Sequence, residues 1–203
     1  MNPDARSEGI IRDILERVDD DADINQRDLA RDLGIALGMT NAYVKRCVRK
    51  GWIKVNQVPA RRYSYYLTPT GFAEKSRLTA EYFSDSLKFF RRARQSLERL
   101  YEEIAARGDR RVILCGADEL TEIAALCAPS QDFHVLGVLR GDRRRDGVGG
   151  LPALDAKALP PVDCLVIAAT DRAEALYARA RELVGPEKVA VPDVLDHILN
   201  HRP

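Results

Sequence analysis

The sequence lacks the features that mark membrane, secreted and metal-binding proteins. No apolar run approaches the ~18 residues of a membrane-spanning helix. The polar start MNPDARSEG has no basic segment leading into an apolar one, so neither a signal peptide nor a transit peptide is predicted. The four cysteines form neither a CxxC pair nor a Cys/His cluster with zinc spacing. We therefore expect a cytoplasmic protein with reduced thiols and no metal site.

Motifs of catalysis are also missing. The sequence contains no GxSxG, HExxH or P-loop motif and no convincing acid/base pair. Aromatic residues make up only 6% of the chain, yet 45% of the residues are hydrophobic and 31% are charged, as in an ordinary folded protein. The 203 residues suffice for one or two domains. We expect a folded protein that is not an enzyme.

Charge is unevenly distributed along the chain, although the formal net charge is only +1. Residues 1–39 carry ten acidic and five basic side chains. Residues 40–72 carry no acidic side chain and seven basic ones, namely Lys45, Arg46, Arg49, Lys50, Lys54, Arg61 and Arg62. A charge run is most often a solvated face, so the secondary structure around it decides its interpretation.

The spacing of apolar residues predicts three helices within the first fifty residues. They cover about residues 7–19, 25–33 and 37–50. Gly34 separates the second helix from the third, and Gly51 ends the third. Two short helices joined by a tight glycine turn, the second with a basic outer face, are typical of a helix-turn-helix.

After Gly51 the apolar spacing changes from a helical period to strict alternation. Ile53 and Val55 predict one strand, residues 59–62 a turn, and residues 63–67 a returning strand. The turn carries two arginines. A hairpin of this kind directly behind a basic helix is typical of the wing of a winged helix-turn-helix.

This arrangement predicts binding to double-stranded DNA. A helix fits the major groove, where arginine and lysine donate to guanine O6 and N7, and hairpin arginines reach the adjacent minor groove or its phosphates. Helix-turn-helix geometry also occurs in proteins that bind no DNA, and this alternative stays open. The predicted DNA-contacting residues are Met39, Thr40, Asn41, Ala42, Lys45, Arg46, Arg49, Arg61 and Arg62.

Several runs of the sequence resemble a known family. QRDLARDLGIALGMTN (26–41), KGWI (50–53), YLTPTG (66–71) and EKSRLT (74–79) are similar to the winged-helix MarR-type regulators associated with exopolysaccharide gene clusters, over about residues 8–105. The resemblance implies a DNA-binding transcriptional regulator, usually a repressor, of polysaccharide biosynthesis genes. Ala36 stands where the family usually has serine and Arg46 where a small residue is common, so the operator sequence is not carried over.

A long helix is predicted next, because neither proline nor glycine interrupts the chain from Phe72 to Arg107. Its apolar residues recur at steps of four and three, which is the spacing of a heptad seam. The seam predicts a homodimer, and packing within the same chain is the alternative. The predicted dimerisation residues are Phe83, Leu87, Phe90, Leu97, Tyr101 and Ile104.

The C-terminal half alternates apolar strands with helices. Unbroken apolar strands in this order predict a parallel sheet covered on both faces, in a Rossmann-like domain. Residues 109–203 carry twelve basic and fifteen acidic side chains, which argues against a second DNA surface. The predicted fold is therefore α/β, with a winged helix-turn-helix DNA-binding domain at 1–69, a long dimerisation helix at 70–107 and a Rossmann-like ligand-binding domain at 108–203.

Ligands in such sheets bind at the carboxyl ends of the strands. The predicted ligand-binding residues are Gly116, Ala117, Asp118, Glu119, Arg140 and Thr170. The runs VILCGADELTEIA (112–124), VLGVLRGD (135–142), GLPAL (150–154) and VDCLVIAAT (162–170) resemble the nucleotide-sugar-associated Rossmann modules of acyltransferases and C-methyltransferases in glycan pathways. This resemblance implies a sugar, a sugar nucleotide or another phosphorylated metabolite as the effector.

Two other functions remain open from the sequence. One is an NADH-sensing repressor, because the layout also resembles the redox-sensing Rex family. Asp118 and Thr121 occupy the second and third glycine positions of the dinucleotide fingerprint, which counts against that function. The other is an enzyme or metabolite-binding protein whose N-terminal domain only mediates assembly.

Overall fold

The computed structural model describes residues 3–58, 62–128, 133–139 and 148–199. The chain forms two compact units, Met1–Leu87 and Lys88–Pro203. Each unit has a hydrophobic core of its own. The predicted fold class is confirmed: the chain has an N-terminal winged helix-turn-helix, a long helix and a C-terminal parallel sheet.

The N-terminal unit consists of three helices followed by an antiparallel hairpin. Apolar residues at three- and four-residue spacing bury one side of each helix, which explains why the predicted helices form. Among the fully buried side chains are Ile14, Leu15, Leu29, Cys47 and Ile53. The elements are α1 (Pro3–Asp20), α2 (Gln26–Asp32), α3 (Leu37–Arg49), β1 (Ile53–Val58) and β2 (Arg62–Leu67).

Helices α2 and α3 begin differently. The Asn25 side chain caps α2 by accepting from the backbone N–H groups of Arg27 (3.0 Å) and Asp28 (2.9 Å). Ala36 precedes α3 and offers no side-chain cap. Helix α3 therefore begins without the hydroxyl or carboxamide oxygen that usually satisfies a first-turn amide.

A close backbone contact fixes the start of α4 (Pro69–Ala106), which has 38 residues. The Thr68 hydroxyl accepts from Gly71 N (3.0 Å) and donates to Gly51 O (2.6 Å). A Cβ atom added to Gly71 would lie 2.1 Å from Trp52 O. Only glycine at position 71 permits this approach, since the neighbour is a backbone atom that cannot turn away.

The C-terminal unit is built on a five-stranded sheet in which every pair is parallel. The strand order is β5-β4-β3-β6-β7. Strands β4 and β5 are thus added on one side of β3, and β6 and β7 on its other side. Right-handed crossovers place the two connecting helices on opposite faces. The elements are β3 (Arg111–Cys115), α5 (Glu119–Cys127), β4 (His134–Leu139), β5 (Ala153–Leu154), β6 (Cys164–Ile167), α6 (Ala173–Val184) and β7 (Val189–Ala190).

The heptad seam of α4 differs from the prediction in its second half. Leu97, Tyr101 and Ile104 have no exposed surface and belong to the core of the C-terminal unit. The Tyr101 hydroxyl donates to Ala124 O on α5 at 2.8 Å, and burial raises the pKa of Tyr101. These three side chains are covered by their own chain, which corrects their assignment to a dimer contact.

The first half of the seam is exposed. Phe83 is 60% exposed, Leu87 53% and Phe90 40%.

Within the part of the chain that the structure describes, no helix is both long enough and apolar enough to cross a membrane.

Candidate nucleic-acid interface

One side of α3 belongs to the core and the other is exposed. Thr40, Val44 and Cys47 are buried. At about 100° per residue, the positions opposite to them form a single face. Its exposed residues are Gly38, Met39, Ala42, Lys45, Arg46 and Arg49, the side that the sequence pattern predicts.

Thr40 has to be removed from the predicted DNA contacts. Its side chain has no exposed surface, and its hydroxyl donates to Ala36 O at 3.2 Å. A β-branched side chain on the core side of a helix cannot reach the base edges. Asn41, beside it, is half-buried and lies at the border of the exposed face.

The cations of α3 differ in their surroundings. Arg46 donates from Nη1 to Ser7 Oγ on α1 at 3.1 Å, so its guanidinium is turned toward α1. Across the described residues, neither Lys45 nor Arg49 is paired with a carboxylate. Of the three basic side chains on the exposed face, Lys45 and Arg49 have no competing partner among the residues that the structure describes.

An open cleft of about 680 Å³ lies between the amino-terminal ends of α2 and α3. Arg27 is exposed beside it, and the uncapped end of α3 adjoins it. Except for Asn41 and Gly38, the sequence analysis did not assign these residues to an interface, because a cleft between two helix ends has no periodic pattern. The lining residues are Asn25, Gln26, Arg27, Leu37, Gly38 and Asn41.

The wing is hydrogen-bonded to the segment that precedes α2 and to the first residue of α2. Tyr65 N donates to Ala22 O (2.8 Å), Ser64 Oγ donates to Asp23 Oδ1 (2.8 Å), and Gln26 Nε2 donates to the Tyr65 hydroxyl (3.0 Å). These bonds tie both strand and side chains to the helical core. The position of the hairpin relative to α3 is therefore fixed.

The exposed face of the wing carries residues that the sequence analysis did not single out. Lys54 and Tyr66 are register partners on β1 and β2, and both are exposed. Tyr63 and Tyr65 lie on the same face of β2, two residues apart in a regular register, yet Tyr63 is 55% exposed and Tyr65 is buried. Of the two predicted wing arginines, Arg61 and the Arg62 side chain lie outside the described residues.

Comparison with known families identifies the first unit. Residues 8–54 match the family model described as winged helix-turn-helix DNA-binding. The N-terminus is a winged helix-turn-helix DNA-binding domain. The matched residues run from α1 into β1 and include every α3 residue discussed above. A comparison with curated proteins gave no match.

In the C-terminal unit, three of the predicted ligand-binding residues, Gly116, Asp118 and Thr170, lie together where β3 and β6 end. Asp118 caps α5 and also accepts from Thr170 N at 2.6 Å, so Asp118 and Thr170 lie together. Gly116 is buried beneath them, and Glu119 is exposed. Arg140, the predicted phosphate partner, lies outside the described residues.

Neither a metal cluster nor a reactive thiol is found among the described residues. No group of three or more His, Cys, Asp or Glu side chains there is arranged to hold a metal ion. The four cysteines are free. Burial raises the pKa of Cys115 to about 12 and those of Cys47 and Cys164 to about 11, so these three remain thiols at neutral pH.

Proposed function

We propose that the chain is a DNA-binding transcriptional regulator that reads the major groove with α3 and the adjacent backbone or minor groove with its wing. The observation that carries the proposal is the exposed face of α3. Its back is part of the core, while its front presents Lys45 and Arg49, which have no carboxylate partner among the described residues. A basic helix face held rigidly beside a hairpin matches the shape and the charge of the major groove.

The roles of individual residues follow from the chemistry of the groove. Lys45 and Arg49 are placed to donate to guanine O6 and N7 or to backbone phosphates, and the Asn41 carboxamide is suited to adenine N6 and N7. Gly38 and Ala42 have minimal side chains on the same face, which lets the α3 backbone approach the bases. The exposed Lys54 and Tyr66 of the wing face phosphates in this proposal.

The regulated genes are proposed to be those of polysaccharide biosynthesis, and the regulation to be repression. Both rest on the resemblance of residues 26–41, 50–53, 66–71 and 74–79 to the exopolysaccharide-associated regulators. A homodimer is proposed as well, since two α3 helices would match a palindromic operator. The exposed Phe83, Leu87 and Phe90 of α4 support it.

The C-terminal unit is proposed to bind a small-molecule effector rather than to catalyse a reaction. The order of its parallel strands changes direction between β3 and β6, and open parallel sheets bind their ligands at such a point. An effector changes DNA affinity only by the difference between its affinities for the two states of the protein, commonly about 1–3 kcal/mol.

The test begins with a genome-wide pull-down of DNA by the purified full chain. The enriched fragment then serves in fluorescence anisotropy with the Lys45→Ala/Arg49→Ala variant. We expect its Kd to rise at least about tenfold, since each lost base contact costs about 1–3 kcal/mol. As a control, Arg99→Ala/Arg181→Ala removes two charges from exposed positions of the C-terminal unit and should leave Kd within about twofold at the same salt concentration.

Two results would contradict the proposal. One is a pull-down without any enriched sequence. The other is a folded Lys45→Ala/Arg49→Ala variant that binds the fragment as tightly as the unaltered chain. In either case the N-terminal unit would be assigned to assembly instead.

A further inference from the structure

A single carboxylate collects five hydrogen bonds at the edge between β3 and β6. Asp118 Oδ1 accepts from the backbone N–H groups of Leu120 (3.1 Å) and Thr121 (3.4 Å). Asp118 Oδ2 accepts from Thr170 N (2.6 Å), Thr170 Oγ1 (2.8 Å) and Asp171 N (3.2 Å). The first pair caps α5, whereas the other three come from the loop that follows β6.

The two loops are in direct contact beneath this carboxylate. Thr121 Oγ1 donates to Ala168 O at 2.6 Å and accepts from Asp118 N at 3.3 Å. A Cβ atom added to Gly116 would lie 2.4 Å from Ala168 O. The Thr121 hydroxyl therefore joins the two loops, and the Asp118 carboxylate joins them a second time.

Helix capping alone does not account for this arrangement. A cap needs one oxygen atom, and serine or asparagine caps a helix as well as aspartate does. The second oxygen of Asp118 makes three further bonds to a loop that is 52 residues away in the sequence. Converging N–H and O–H donors at this edge are the groups with which open parallel sheets bind a ligand's phosphate.

We propose that Asp118 is an internal anion that occupies the position of a ligand's phosphate, so that the edge between β3 and β6 excludes phosphate-bearing ligands. The amides of Leu120, Thr121, Thr170 and Asp171 already donate to Asp118, and a second anion would face the carboxylate charge. The exclusion does not depend on DNA binding. If the proposed effector does bind at this edge, it is neutral or cationic, in contrast to the phosphorylated metabolite expected from the sequence.

The experiment compares the full chain with its Asp118→Ser variant, which keeps a capping oxygen for α5 and vacates the donors of Thr170 and Asp171. Inorganic phosphate is titrated at constant ionic strength, with chloride as the replaced anion, and the backbone amides are followed by ¹H–¹⁵N NMR. In Asp118→Ser we expect saturable shifts of the Thr170 and Asp171 amide signals. We also expect phosphate at tenfold excess over Kd to raise its Tm by about 5 °C.

The control variant is Asp155→Ser, which removes a carboxylate that accepts from Lys157 N in another loop of the same unit. Neither this variant nor the unaltered chain should show phosphate-dependent shifts at Thr170 and Asp171. Saturable shifts of these amides in the unaltered chain would overturn the proposal without any need for a variant. Their absence in a folded Asp118→Ser chain would overturn it as well.

Discussion

Helix α3 of the N-terminal unit and helix α5 of the C-terminal unit begin in opposite ways. In the N-terminal unit, α3 begins at Ala36 without a side-chain cap and adjoins an open cleft. In the C-terminal unit, α5 begins after Asp118, whose carboxylate accepts from amides in the first turn of α5 and from amides in the loop that follows β6. The start of α3 thus offers its first-turn amides to an external partner, whereas the Leu120 and Thr121 amides of α5 are bound within the chain.

The same contrast holds for the charges. Residues 40–72 contain seven basic side chains and no acidic one, whereas residues 109–203 contain twelve basic and fifteen acidic side chains. A positive surface attracts DNA at any sequence, and a slightly negative one does not. Nucleic-acid binding is therefore expected from residues 40–72 rather than from residues 109–203.

The largest effect on stability is expected from Gly71→Ala, which should destabilise the N-terminal unit and leave the stability of the C-terminal unit unchanged. Its Cβ would overlap with Trp52 O, so the start of α4 has to move and the N-terminal unit should lose about 3 kcal/mol. Hydrogen exchange measured by mass spectrometry should show faster exchange in α3 and β1 and unchanged exchange in β3 and β6. Gly9→Ala is the matched control, because no atom lies within 4 Å of its added Cβ. Equal loss of protection in both units would show that they unfold as one.

A smaller loss is expected from Tyr101→Phe, which acts on the other unit. The substitution removes the buried hydrogen bond to Ala124 O and should cost about 1–2 kcal/mol in denaturant unfolding of the C-terminal unit. Tyr82→Phe changes a ring that is 54% exposed and should have almost no effect. Equal stabilities of these two variants would mean that the Tyr101 hydroxyl contributes nothing.

Ala36→Ser converts the open end of α3 into a capped one, as in α5. A serine at this position is expected to stabilise the N-terminal unit by about 1 kcal/mol, because its hydroxyl accepts from a first-turn amide. Thermal unfolding measures the gain, and Ala42→Ser in the middle of the exposed face is the control that should not stabilise. A lower Tm for Ala36→Ser would show that the end of α3 is already satisfied.

The smallest effect concerns acid stability. Backbone N–H groups of Arg111 and Arg110 hold the pKa of Asp163 below its usual range. A carboxyl whose pKa is lower in the folded chain contributes stability above the pKa of the unfolded chain, near 3.9, and loses it as the pH falls through the folded value. Asp163→Asn should therefore flatten the decline in Tm below about pH 4. Identical slopes for the variant and the unaltered chain would exclude this contribution.

Much of the fold could be predicted because burial imposes a period on the sequence. The stripes of α1 and α3 and the unbroken apolar strands β3 and β6 are each visible in one segment of chain. Strand β5 was missed, since two residues at a sheet edge have no period. The heptad spacing of α4 could not distinguish packing within a chain from packing between chains, because both bury the same apolar face.

The site was harder to predict because it depends on pairs distant in sequence. The missing glycines around Asp118 counted against dinucleotide binding, yet nothing in that segment shows that Thr170 donates to the carboxylate. The bond between Arg46 and Ser7 spans 39 residues and is invisible for the same reason. Thr40 was assigned to the interface although its spacing also placed it with Val44 and Cys47 on the core side.

The junction at Gly51 has a mechanical consequence. The hydroxyls of Thr68 and Thr70 both donate to Gly51 O, and the Trp52 amide is bonded to Cys47 O at the end of α3. Gly51 therefore accepts from residues at the start of α4, while the residue after it is bonded to the last turn of α3. In the proposed complex with DNA, we expect a rotation of the first turn of α4 to be carried through these bonds to α3 and to change the angle at which α3 enters the groove.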